Sequence, residues 1–181
     1  DQVLALLGQD RSLGRIARAL DLIQARAETG CPVYRSSKNF RGYPCAHRKW
    51  RHDGHCSLLH GYSRSFEVWF ACEQRDRNGF VRDYCDLKEP RQWLDVLFDH
   101  TVLVDADDPL LEQLRSLEAA GGCRLVVFED VDTEGSAREF YDYLEPWVQQ
   151  RTQGRVWVHS VEWRENEKNS SIFIAPTRLN P

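Results

Sequence analysis

The chain has 181 residues, 41% of them apolar and 29% charged, enough for one domain with a full core and some additional material. Lys and Arg number 24 against 28 Asp and Glu, so the formal charge is −4, no overall basic field draws the chain to nucleic acid, and no direct nucleic-acid partner is expected. The longest wholly apolar runs, such as 125–128, fall far short of the ~18 residues that cross a bilayer, which excludes a membrane-spanning helix.

In chain order, residues 12–28 place Leu13, Ile16, Ala17, Leu20, Ile23 and Ala27 on one face and predict an amphipathic helix that ends at Gly30. Cys31-Pro32 interrupts this pattern, so 1–34 reads as a helical extension with its linker and 35–181 as the body of the protein. The extension is available to dock on a partner protein. From Arg35 to His52 the chain carries six Lys or Arg residues and no carboxylate, with strand-like spacing at its start. Residues 64–72 alternate as an antiparallel strand, Asp76-Arg77-Asn78-Gly79 forms a turn, and Asp86 is placed to cap a helix running to Phe98.

Pro109 follows the acidic turn 105–108 and opens a helix through Leu110, Leu111, Leu114 and Leu117. Residues 125–128 read as a buried strand, and 136–150 as a long helix in which Pro146 predicts a kink. Segments 156–161 and 171–174 complete the chain as a hairpin. Helices and strands in this order favour an α+β fold with antiparallel pairing.

Chemistry concentrates in one window. Four of the six histidines, His47, His52, His55 and His60, fall within fourteen residues together with Cys56, a grouping suited to zinc or to a base-activated thiol. His60 and Tyr62 are two residues apart and share a face if they lie on a strand, and His47 can meet that face across an antiparallel pair. Asp99 next to His100 is placed so that a carboxylate can orient an imidazole. The six cysteines (31, 45, 56, 72, 85 and 123) contain no Cys-x-x-Cys pair and read as free thiols of a reducing compartment. That favours the cytoplasm, or an organelle matrix if an upstream targeting segment has been removed.

These residues carry a resemblance. Ala46-His47, Cys56-Ser-Leu-Leu-His60-Gly61-Tyr62, Gly79-Phe-Val81-Arg-Asp83, Leu87-Lys88, Asp99-His100 with Leu103, and Glu165 ahead of Ile172-Phe173 occur in the order found in 6-pyruvoyl-tetrahydropterin synthases and 6-carboxytetrahydropterin synthases. The chain resembles that family over roughly residues 36–175, with Glu134-Gly-Ser-Ala137 as a weaker match and 105–128 as an apparent insertion.

The resemblance implies the tunnelling fold, an antiparallel sheet with helices packed on one face whose sheets join between subunits into a barrel, as a trimer or hexamer of identical chains. It implies a lyase acting on a reduced pterin triphosphate, 7,8-dihydroneopterin triphosphate, and yielding 6-carboxytetrahydropterin on the way to 7-deazaguanine nucleosides such as queuosine. His47 and His60 would be zinc ligands, Cys56 the proton-transferring base or acid, and Asp99 with His100 a proton relay. Glu165, and more weakly Glu134, would bind the pterin. Apart from the resemblance, the basic stretch that begins at Arg35 offers Lys38, Arg41 or Arg48 to the triphosphate.

One departure stands out. The family has His where this chain has Tyr62, so the third metal ligand is Tyr62 as phenolate, His52 or His55, or the metal is absent. The alternative reading is a family member without chemistry that serves as an accessory or structural subunit of a larger assembly.

Overall fold

Alternating apolar residues along three long strands build the core of the sheet. The computed structural model describes residues 33–129 and 131–176; the helix expected over 12–28 lies outside them. Strands β1 (Tyr34–His47), β2 (His60–Cys72), β3 (Thr101–Asp105), β4 (Leu125–Phe128), β5 (Val156–Arg164) and β6 (Ser170–Ile174) form one sheet in the order β4-β3-β1-β2-β5-β6. Helices α1 (Lys88–Phe98), α2 (Leu111–Ala119) and α3 (Thr133–Thr152) connect them.

The sheet is antiparallel across β1, β2, β5 and β6, as the hairpin signals require. It becomes parallel where β3 joins β1, because α1 carries the chain back after β2, and where β4 joins β3, because α2 does the same between those two strands. Residues 105–128 thus supply a crossover helix and an edge strand. β4 is not the buried strand expected: none of its residues is fully buried and Val127 is 42% exposed.

The inner face of the sheet holds the core. Phe66 has no exposure and lies 4.2 Å from the Trp163 ring, 5.0 Å from Phe98 of α1 and 5.1 Å from Phe140 of α3, so both long helices cover the same face. Trp93 stacks on Phe140 and Tyr143 at 5.5 and 4.6 Å and seals α1 against α3. Asp132 caps α3 by accepting from the Gly135 amide at 2.7 Å, and the helix continues through Pro146. Two expected starts shift. α1 begins after Leu87 with no side-chain cap, while Asp83 accepts from the Cys85 amide one turn earlier. α2 begins after Leu110, whose amide donates to Asp108, so Pro109 precedes the helix.

Two bulges decide which side chains face the core. At Gly42, φ is +87°, a left-handed conformation that glycine adopts without strain, and the register with β2 slips between Arg41 and Tyr43. Phe40 therefore points inward together with Tyr43, Cys45 and His47, although the residue parity differs. A second slip between Trp69 and Phe70 does the same for β5, where Val156 and Val158 face inward and then Val161 and Trp163. The inward face of both strands is consequently carried to their far ends, at His47 and just before Glu165.

Candidate metal and proton-transfer site

β1 ends and β2 begins at one cross-strand pair, His47 opposite His60, with the ring centroids 4.5 Å apart. Gly61 makes this approach possible, because a Cβ there would lie 2.5 Å from the Cys45 carbonyl oxygen and 2.9 Å from the Ala46 Cα. β5 delivers Glu165 to the same point, with Oε1 3.9 Å from His47 Nε2. Among the described residues, His47, His60 and Glu165 form the one group of three His, Cys, Asp or Glu side chains whose ligand atoms all lie within 4.8 Å of one another.

The donor chemistry of this group suits a divalent cation. His60 Nδ1 lies 2.7 Å from the Leu58 carbonyl oxygen, an acceptor that holds the proton on Nδ1 and leaves the Nε2 lone pair free. Two imidazoles and a carboxylate are an established donor set for zinc. His47 is 6% exposed, and burial, reinforced by the positive charge of Arg64 and by His60 and Lys49, pushes its pKa down to about 3. The imidazole is therefore neutral throughout the physiological range, the form that ligates metal.

This shift fixes a pH dependence. In the unfolded chain His47 titrates near its ordinary value of 6.5, so between 6.5 and about 3 the unfolded state holds a proton that the folded state lacks. The contribution to stability is complete above pH 6.5 and is lost as pH falls, at up to ~1.4 kcal/mol per pH unit. Urea midpoints of chelator-treated protein should drop stepwise from pH 7 to pH 5, and the part due to this group should vanish in His47→Asn. An identical slope in that variant would remove His47 as its origin.

Arg64 was not among the residues the sequence singled out, yet it lies at the centre of the group. It is 1% exposed, its Nη2 donates to His47 Nδ1 and lies 3.8 Å from Glu165 Oε1, and its guanidinium covers the Trp163 ring at 5.1 Å. Desolvation by burial lowers its pKa. The available signal was parity: Arg64 follows His60 and Tyr62 at two-residue spacing on a strand and must share their face.

The other expected residues are placed as follows. Tyr62 is 43% exposed, with its ring centroid 6.0 Å from that of His60. His52 and His55 are exposed, their rings 6.5 Å apart, and His52 Nδ1 accepts from the Gly54 amide, so neither belongs to the converging group. Cys56 is half-buried in the 3-10 turn His55–Ser57. His100 stands at the surface with φ +56°, its Nδ1 2.7 Å from Asp99 Oδ1. Glu134 is exposed in the first turn of α3 and accepts from the Thr133 hydroxyl. The five described cysteines are free thiols.

The loop that carries Cys56 is pinned by ion pairs at its base. Arg48 lies 3.3 Å from the buried Asp108, Lys49 3.1 Å from Asp132, and both Trp50 and Arg51 donate to Asp107. The acidic turn after β3 thereby holds the basic stretch after β1. Arg48 is occupied by this contact, whereas Lys38 and Arg41 lie beyond the Gly42 bulge, where with Lys88 and Arg91 they line a separate cavity of about 220 Å³.

A curled sheet with both long helices on one face, and a polar site gathered where β1, β2 and β5 meet, defines a tunnelling-fold protein. Residues 37–175 match the family model described as 6-pyruvoyl tetrahydropterin synthase, and the chain belongs to that family. Similar relatives include a 6-carboxy-5,6,7,8-tetrahydropterin synthase of Aquifex aeolicus, 27% identical over 125 residues that cover 60% of this chain and 76% of the relative. Another with the same name, from Rickettsia conorii, is 31% identical over 72 residues, covering 39% of this chain. The chain spans about half the length of that relative, 52%.

Among solved structures, an uncharacterized protein from Wolinella succinogenes superposes with a TM-score of 0.70 at 22% identity, covering 80% of this chain and 99% of the other. The Caenorhabditis elegans 6-pyruvoyl tetrahydropterin synthase superposes with a TM-score of 0.55 at 16% identity, covering 80% and 97%. Among the described residues, no helix is long and apolar enough to cross a membrane.

Proposed function

We propose that the chain is a 6-carboxytetrahydropterin synthase-like lyase that acts on 7,8-dihydroneopterin triphosphate with the help of zinc. The observation that carries this reading is the convergence of His47, His60 and Glu165 in a member of the 6-pyruvoyl tetrahydropterin synthase family. The names of its similar relatives favour the carboxy branch.

When bound by these three side chains, zinc supplies polarisation of the hydroxyl groups on the pterin side chain and lowers the cost of removing a proton there. The residues of the chain divide the remaining work. Glu165, which the family resemblance makes the anchor of the pterin ring, turns toward the histidines and also offers the third donor that Tyr62 leaves open, and Glu134 is the weaker candidate for binding the pterin. Cys56 takes up or returns the proton on the side chain, and Asp99 holds His100 in position to exchange a second one. His100 is at the surface, so this relay acts where a second copy of the chain is apposed. Assembly into a homo-oligomeric barrel suits the two sheet edges: β6 exposes Ile172 and Ile174, and β4 exposes Val127.

The experiment is conversion of 7,8-dihydroneopterin triphosphate by chelator-treated protein with and without added zinc. Turnover is expected only with zinc, at about one ion per chain by elemental analysis. The second reading, an accessory or structural subunit without chemistry, is favoured by Tyr62 in the family's His position. If zinc and turnover both appear only after Tyr62→His, that reading replaces the first.

A further inference from the structure

His47 and His60 face the same point but are prepared for it in opposite ways. His60 gives its Nδ1 proton to a carbonyl oxygen, which leaves Nε2 with a lone pair. His47 Nδ1 receives a proton donor, the Nη2 group of Arg64, so a neutral His47 carries its own proton on Nε2, the nitrogen that faces Glu165 Oε1 across 3.9 Å. A metal needs the lone pair at that position and requires the proton on Nδ1.

Arg64 also brings charge. A guanidinium stays protonated in proteins, and this one is 1% exposed with Nη2 3.8 Å from the Glu165 carboxylate. Its Nε is buried and has no partner, which is costly unless the head group is held firmly elsewhere. What holds it is the pair of side chains that a metal would use, together with the face of Trp163.

We propose that Arg64 is an internal competitor of the metal: in the metal-free chain its guanidinium bridges His47 and Glu165, and zinc binding displaces it and moves the His47 proton from Nε2 to Nδ1. The inference rests on the metal reading given above. It makes this site a weak and exchangeable one compared with a site of the same three donors lacking the arginine.

The test is zinc affinity of the full chain, measured by competition with a chromogenic chelator, for the wild type, Arg64→Met and Arg64→Gln, each checked for folding by circular dichroism. Met keeps the length of the stem without charge, and Gln keeps a donor without charge. Both variants are expected to bind zinc at least 10-fold more tightly than the wild type, with the gain lost on adding His60→Ala. Folded variants that bind zinc no more tightly than a zinc-binding wild type overturn the competitor role and leave the metal site standing. If no form binds zinc, the metal reading falls together with the proposal.

A second measurement needs no substitution at Arg64. Long-range 1H–15N spectra of the wild type should show His47 protonated on Nε2 without zinc and on Nδ1 with it. A proton on Nδ1 in both states overturns the proposal even where the variants fail to fold.

Discussion

Cys56→Ala is expected to lower turnover of 7,8-dihydroneopterin triphosphate by two to four orders of magnitude, the range that loss of one positioned proton-transfer group costs. The fold and the zinc affinity should be unchanged. Cys56 lies in the turn His55–Ser57, and that loop is held by Arg48 on Asp108, Lys49 on Asp132 and Arg51 on Asp107, none of which involves the thiol. The thiol is also not one of the three converging donors. Single-turnover rates of zinc-loaded wild type and variant provide the comparison. Turnover within about threefold of the wild type would remove Cys56 from the chemistry.

Phe66→Ala should cost about 3–5 kcal/mol of folding stability, the usual range for deleting a fully buried aromatic ring. The ring touches every layer of the core at once, since Tyr43, Phe98, Phe140 and Trp163 all contact it. Its neighbours are themselves large, and collapse around the void is opposed by two helices and three strands. Against a typical domain stability of about 5–15 kcal/mol this is a large fraction of the total, and the variant should melt well below the wild type. Urea unfolding at 25 °C measures the loss; a value below ~1 kcal/mol would show that the core repacks freely. The site should fail together with the core, because Trp163 lies between Phe66 and Arg64 and is two residues before Glu165.

The clamp around the Cys56 loop gives the acidic turn after β3 a role that spacing alone did not suggest. Asp107 and Asp108 follow β3, and their partners Arg48 and Arg51 follow β1, two strands that lie side by side in parallel. Charge complementarity between these segments explains why so basic a stretch is tolerated beside the site. It also holds the Nε edge of Arg48 against Asp108.

Much of the molecule was legible from local pattern. Alternation located β2, β5 and β6, the 3.6-residue period located α3, and the crowding of His47, His52, His55 and His60 marked the stretch whose two ends, His47 and His60, converge with Glu165. Capping was less legible: Asp83 and Asp108 form turns just ahead of the two helices, where the sequence pattern points to Asp86 and Pro109.

What the sequence determined by itself was the family, the α+β class and two of the three converging side chains, since these depend on residue identity and on spacing along one or two adjacent strands. What only the tertiary structure decided was the place of Glu165, which the sequence offered as a pterin ligand, beside the two histidines, and the presence of Arg64 as their rival. Glu165 is more than a hundred positions from His60, and Arg64 looks like an ordinary strand arginine until both neighbours of β2 are known. Two bulges, at Gly42 and beside Trp69, set the inward parity of β1 and β5, and a period of two cannot reveal a slip that exists only relative to a partner strand.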